Sequence, residues 1–253
     1  MTYPPKQHLL RDLHVLNWLE DPDHGVAEFD ITDAMRDSSG QVSVGALITL
    51  ADIACSRVAL SVAAPDFVAT LDLSVTTGAR PAEGRVRTDA RLLRAGSKVV
   101  SIDGDVDAVG PITGSFVRIP NEASLVSRVP AIGVRSRLDH VGPLLTGSIT
   151  DRMGMRVTAD AAELDQSDYV GNSFGTINGG ALGFLVAAAA EAVIGETATD
   201  ITIRYLDQTK VGPARATTSI VRRSAGHAIA DVIVRDIGAG GVPLARALVG
   251  ATT

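Results

Sequence analysis

The sequence predicts an α+β protein built from two copies of one module, each a curved antiparallel sheet wrapped around a central apolar helix. Three observations predict it. The first is the stretch 175–190, which reads as a turn opening directly into a helix that carries no charge until Glu191. A helix apolar on every face is a core helix or a membrane span. Residues 179–190 fall well short of the roughly 20 residues that a span needs, so this is a core helix. The second is its recurrence in weaker form over 40–55, where Val44-Gly45-Ala46-Leu47 lies under Gly179-Gly180-Ala181-Leu182. The third is that the likeness continues downstream. Arg94-Ala95-Gly96 falls under Ser224-Ala225-Gly226, and residues 70–75 fall under 200–205. The offset shortens only between helix and following strand, where a loop varies freely. Self-similarity on this scale is the mark of a tandem duplication.

The elements follow in order. Leu9, Leu10, Leu13, Leu16 and Leu19 have helical spacing, so 7–20 is expected to form an amphipathic helix. Turn residues at 21–25 precede an alternating strand over 26–32, and a loop then leads to the first core helix, 44–63, which Pro65 ends. Four strands are expected at 67–77, 85–93, 98–108 and 112–119, separated by Gly- and Pro-rich turns. One strand, a helix and a four-strand meander make an antiparallel sheet that curls around the helix. A connecting segment follows, with prolines at 120, 130 and 143 and a short helix expected over 133–140. The second module repeats the plan with a strand at 153–161, a helix at 179–194, and strands near 201–208, 214–221, 228–235 and 243–250. The division expected is 1–120 for the first repeat, 121–142 for the connection and 143–253 for the second. Their sheets are expected to join edge to edge, because no helix is available to cover the module edges.

Composition narrows the class of function. With 253 residues and 45% hydrophobic side chains, two modules of ordinary size can each fill a core. The single cysteine, Cys55, rules out an intramolecular disulfide and fits a reducing compartment. The first twenty residues carry Lys6, Arg11, Asp12 and Glu20 and no apolar run, unlike a secretory signal. A net charge of −6 without a Lys/Arg cluster argues against a nucleic-acid surface. A soluble, cytoplasmic protein without membrane contact is expected. The five histidines, at 8, 14, 24, 140 and 227, show no metal-ligand spacing, and no metal is expected.

Asp52 is the sharpest chemical signal, the only charge between Asp37 and Arg57 in the middle of an apolar helix. A buried carboxylate must be paired, protonated or functional. Its bland reading is a structural acid bonded to a neighbouring loop. A raised pKa would suit a general base activating water, or a nucleophile that forms an anhydride; both remain open. Asn178 can cap the second core helix, and the glycines behind it let another molecule approach the amides closely. The free N–H groups and the helix dipole there can stabilise an oxyanion. Asn172, after Gly171, is also ordinary turn chemistry. Cys55 reads as a small core residue. Glu191, the runner-up acid, reads as a solvated helix end. Arg80, Arg204, Lys210 and Arg215 are basic residues that could meet phosphates, and none is assigned.

On these residues the chain resembles the hotdog-fold acyl-CoA thioesterases, in particular the group with the phenylacetate-pathway and hydroxybenzoyl-CoA enzymes. The resemblance lies in the Gly turn that opens each central helix, Leu50-Ala51-Asp52, Arg80-Pro81-Ala82-Glu83-Gly84 and Arg94-Ala95-Gly96. It implies a double hotdog fold and a site between the two repeats. One repeat supplies a glycine amide that polarises the thioester carbonyl, together with a polar side chain six residues before a turn histidine. The other supplies the acid. By this resemblance the first site comprises Asn178 in the histidine position, Gly179, Asn172 and Asp52 as the acid. The second comprises Ser43, Val44 and Asp37, with Ala187 where the acid belongs, so it has lost both glycine and acid. The resemblance further implies an acyl-CoA substrate hydrolysed at the first site, coenzyme A as part of the substrate rather than a cofactor, and a homodimer of double hotdogs. Two other readings compete. One is a degenerate module that binds acyl-CoA or a protein partner, which the Asn-for-His change keeps open. The other is an enoyl-thioester hydratase, ranked lower because no histidine lies in either turn or helix.

Overall fold

The computed structural model describes residues 3–121, 131–142 and 146–252. Its described strands form one antiparallel sheet around two long helices. The first half contains α1 (Leu9–Asp12), β1 (Leu16–Asp21), β2 (His24–Asp30), α2 (Val44–Ala63), β3 (Phe67–Val75), β4 (Arg85–Ala95), β5 (Val99–Val106) and β6 (Gly110–Ile119). A short β7 (Ser136–Arg137) follows, then α3 (Ile149–Arg152), β8 (Arg156–Val157), β9 (Ala161–Leu164), α4 (Gly179–Ile194), β10 (Ala198–Tyr205), β11 (Ala214–Ser224), β12 (His227–Asp236) and β13 (Val242–Ala251). The strand order is β7-β1-β2-β4-β5-β6-β3-β10-β13-β12-β11-β9-β8. Strands β1–β6 pack on α2 and β8–β13 on α4, so each helix is enclosed by its own stretch of sheet. This enclosure explains why neither helix needs a polar face. By length and composition α2 could cross a membrane, yet here most of it is buried inside the sheet.

Antiparallel pairing of β3 with β10 joins the two stretches, with Val75 opposite Ile201 and Leu73 opposite Ile203. On the inner side the helices cross at their N-terminal halves. The crossing is close because it is lined with glycine. A Cβ on Gly45 would collide with the Phe184 ring, one on Gly180 with Thr49, and one on Gly183 with Ile48. Backbones approach this closely only where side chains are missing.

Both long helices have the bounds expected from the sequence, and local chemistry explains why. Ser43 caps α2 by accepting the Ala46 N–H. Ala64, in extended conformation before Pro65, ends it. Asn178 caps α4, and Gly195, in the left-handed region at φ 84°, terminates it.

Three expectations fail. Residues 7–20 do not form a helix: only Leu9–Asp12 is helical, and the chain continues as β1. Leucines spaced for a helix are also consistent with a strand buried on both faces. Trp18 and Leu19 are buried as β1 pairs with β2 around Pro22-Asp23. Residues 133–140 are extended rather than helical. They lie along the free edge of β1, where the Gly133 and Leu138 N–H groups bond Leu19 O at 2.7 Å and Val15 O at 2.9 Å. The strand expected over 153–161 is a hairpin of β8 and β9, turned at Thr158, whose N–H bonds Ala161 O. Ahead of it α3 was not foreseen, although Ser148 and Asp151 form a capping box. Of the connecting segment, residues 122–130 lie outside the described residues, as do 143–145 at the expected start of the second repeat.

A buried polar cluster ties α1 to the second half. The Asp12 carboxylate accepts from Tyr169 Oη at 3.0 Å and Arg152 Nη1 at 3.0 Å, and its other oxygen meets His140 Nδ1 at 2.7 Å. Removing one member of a buried charge pair strands the other without water. Asp12→Ala should therefore lower unfolding free energy by about 3 kcal/mol in denaturant titrations. Loss of the exposed Lys210–Asp207 pair through Lys210→Ala should leave the denaturant midpoint nearly unchanged.

Candidate active site

The helix crossing places the middle of α2 against the first turn of α4. A Cβ on Gly179 would stand 3.5 Å from Asp52 Oδ2 and 3.4 Å from the Tyr205 hydroxyl oxygen. Asp52, Asn172, Asn178 and Gly179 all line one cavity of about 370 Å³. Its walls come from both halves: α2, β3 and Val117 of β6 on one side, the 172–179 turn and the end of β10 on the other. Of the four residues singled out from sequence, two bring free chemistry to it and two do not.

Asp52 and Gly179 are the free pair. Asp52 is the acid whose carboxyl Oδ1 accepts from Thr70 Oγ1 at 3.0 Å. Thr70 sits where the β3–β6 register slips by one residue, a bulge that re-aims side chains. Burial pushes the Asp52 pKa up to about 6, and the Thr70 bond opposes that rise only partly. Gly179 is the first residue of α4, so its N–H has no intrahelical acceptor, and the positive end of the helix dipole points there.

Asn178 and Asn172 are positioning residues in this geometry. Asn178 Oδ1 accepts the Gly180 N–H at 2.8 Å, and the Tyr3 phenol lies beside this side chain. Asn172 Oδ1 accepts from the Phe174 and Thr176 N–H groups at 2.9 and 3.1 Å, and Nδ2 donates to Thr176 Oγ1 at 2.9 Å. Both asparagines shape the turn through side-chain oxygens that accept backbone N–H groups.

Several contributors escaped the sequence reading. Tyr205, at the end of β10, donates its hydroxyl to Gly179 O at 3.1 Å. Burial holds its pKa far above the usual phenol value, so it stays a neutral donor. Its only sequence signal is its place at the end of an alternating strand. The N-terminal arm braces the same turn from the first half. His8 accepts the Leu10 N–H at Nδ1, so its Nε2 carries the proton and donates to Gly171 O at 2.7 Å. Burial lowers the His8 pKa, consistent with a neutral ring. Nothing local in the sequence links His8 or Tyr3 to a turn in the other half.

A second cavity of about 460 Å³ lies at the start of α2, lined by Ser43, Gly45, Phe184, Ala187 and Glu191 among others. Asp37 also reaches it, but forms a buried ion pair with Arg80. That pair removes Arg80 from the surface cations that might have met a phosphate. Glu191 is no solvated helix end: Oε1 accepts the Ala198 N–H at 2.9 Å, and burial raises its pKa to about 7. Cys55 is buried with its thiol pKa raised, an inert core residue. Among the described residues, no three His, Cys, Asp or Glu side chains gather as a metal site.

The raised pKa of Asp52 has a consequence for stability. Its folded value lies above its unfolded one, so folding disfavours the ionised form. That cost is absent below the unfolded pKa and is complete above the folded one, near pH 6. Asp52→Asn keeps an acceptor for Thr70 and has no charge to desolvate. It should raise the thermal midpoint at pH 8 and change it little at pH 4.

No protein-family model and no curated protein sequence matches the chain. Solved structures do match its fold. A putative oleoyl thioesterase from Lactobacillus plantarum superimposes with a TM-score of 0.63 at 14% identity, over 96% of this chain and 98% of that one. A 12:0-ACP thioesterase from Umbellularia californica gives 0.61 at 13% identity over 91% and 94% of the two chains. A tesB protein from Mycobacterium avium subsp. paratuberculosis gives 0.61 at 9% identity over 94% and 96%. The chain thus has a large antiparallel sheet with few helices, arranged as in these thioesterases.

Proposed function

We propose that this chain is a double hotdog, with repeats at 1–120 and 143–253 joined by 121–142, that hydrolyses an acyl-CoA thioester at one composite site. The observation that carries the reading is the approach of Asp52, on one repeat, to Gly179 at the helix start of the other. An acid and an oxyanion donor that face one cavity are what thioester hydrolysis requires. The thioester carbonyl oxygen would lie at the Gly179 N–H, which stabilises the negative charge that develops on it. Asp52 then acts in one of two ways. As a base it takes a proton from water, whose oxygen adds to the carbonyl; collapse of the adduct expels the coenzyme A thiolate, which is then protonated. As a nucleophile it attacks the carbonyl itself, expels the thiolate and forms an anhydride, which water cleaves to the free acid and Asp52.

Tyr205 serves either course by holding the Gly179 peptide from its carbonyl side. Asn178 keeps the turn closed where the resembling enzymes carry histidine. Coenzyme A enters as part of the substrate, and no separate cofactor is needed. The resemblance to the phenylacetate-pathway and hydroxybenzoyl-CoA group, and pairing of two chains into a dimer, belong to this same reading. A hydratase needs a histidine beside the acid, and no histidine lines this cavity. A silent acyl-CoA-binding module remains the competing reading, favoured by the commitment of both asparagines to the backbone.

Thiol release from a panel of acyl-CoAs decides between hydrolysis and binding alone. Asp52→Asn and Gly179→Val should each cut turnover by roughly 10² or more while the protein stays folded. The double variant should be little worse than either, as for groups that act as a unit. Ser43→Ala and Ala187→Val should leave the rate nearly unchanged. A rate that depends on Ser43 as strongly as on Gly179 would rule out the single composite site.

The pH profile tests the protonation state. Either role requires ionised Asp52, so kcat/KM should fall about tenfold per unit as pH drops below about 6. A flat profile down to pH 5 in the folded enzyme would remove Asp52 from the reaction.

A further inference from the structure

We propose that the cavity at the start of α2 is a second binding site for the same kind of ligand, an apolar chain carrying a neutral carbonyl, and that it binds without hydrolysing. The inference rests on the reading of the first cavity as an acyl-thioester site, because it takes its ligand chemistry from a structural copy of that site. The two cavities are related by the exchange of the repeats. Gly180, the second residue of α4, abuts Thr49 of α2; Gly45, the second residue of α2, abuts Phe184 at the matching place on α4. The second cavity is the larger of the two, about 460 Å³ against about 370 Å³.

What it lacks is the hydrolytic pair. Ala187 occupies the place that Asp52 holds on the other helix. Val44, in the place of Gly179, is fully buried and is not part of the cavity wall, so its N–H is not offered to a ligand. The Phe184 ring packs on Gly45 beside it. A carbonyl that enters here meets neither an oxyanion hole nor an acid next to one.

What it retains is a means of holding a carbonyl. Glu191 lies four residues beyond Ala187, one turn on and on the same helix face, and it lines the cavity. The Ala198 N–H fixes one of its oxygens at 2.9 Å, and the other has no hydrogen-bond partner among the described residues. Burial above all, and to a lesser degree the Asp37 charge, favours the protonated carboxyl, which the Ala198 N–H and Arg80 oppose only in part. A neutral carboxyl donates one hydrogen bond, which suits a carbonyl oxygen. Phe184, Ile149, Val157, Ala188 and Ala192 supply the apolar surface for the chain attached to that carbonyl.

The test is binding stoichiometry with a non-hydrolysable probe, the ketone analogue of decanoyl-CoA in which a methylene replaces the thioester sulfur. Calorimetry on the full chain should show two equivalents for the wild type. Gly179→Val should leave one equivalent and cut thiol release from decanoyl-CoA by roughly 10² or more. Ala188→Trp, which fills the second cavity, should leave one equivalent with thiol release retained. Glu191→Leu keeps the apolar volume and removes the donor, so it should weaken the second equivalent about tenfold without touching the first. A single wild-type equivalent that disappears in Gly179→Val would overturn the inference and leave the thioesterase reading standing. So would two equivalents in folded Ala188→Trp, or thiol release lost in that variant and kept in Gly179→Val. Absence of thiol release in the wild type marks failure of the thioesterase reading instead.

Discussion

The close crossing of α2 and α4 is the constraint on which the rest of the molecule depends. Two apolar helices share one interior, and they approach so nearly because Gly45, Gly180 and Gly183 have no side chains at the contact. The sheet must then curl around both, and its join at β3 and β10 sits beside that contact. Asp52 reaches Gly179 only because this crossing is tight. A helix pair held a side chain's breadth further apart would leave the acid and the amide on separate walls.

Polar groups near the crossing are handled by satisfaction rather than exclusion. Thr70 bonds Asp52, Tyr205 bonds Gly179 O, Asn178 caps α4, and His8 holds Gly171. Most of these bonds join different halves or distant segments, so the turn is braced from several directions. Pre-organisation of this kind removes the need to order donors when a ligand arrives. It carries the usual cost of a functional site, here an ionisable acid kept where water stabilises it poorly.

The carboxylates are distributed unevenly between the two cavities. Around the first cavity stands Asp52, paired with no cation among the described residues and held by a hydroxyl. Around the second stand Asp37, neutralised by Arg80, and Glu191, shielded by burial and one backbone N–H. The two environments share an architecture but differ in what they offer a ligand. The first presents an acid beside an amide; the second presents a carboxyl whose pKa burial raises to about 7.

The sequence by itself determined both long helices and the strands after each, because these rest on local signals. Apolar runs, capping Ser43 and Asn178, and the stop at Pro65 act within a few residues of where they stand. It also marked Asp52 and Gly179, since a lone charge in an apolar helix and a glycine behind a cap are visible without a fold. Only the tertiary structure decided the rest. Leu16 and Leu19 went to a strand because β2 lay ready to pair, and 133–140 went to the edge of β1 for its free backbone groups. Thr70, Tyr205, Tyr3 and His8 joined the site through contacts between segments far apart in the chain, which no local pattern encodes. Glu191 was misread for the same reason: its burial comes from the β10 start and the Asp37–Arg80 pair, not from its own helix.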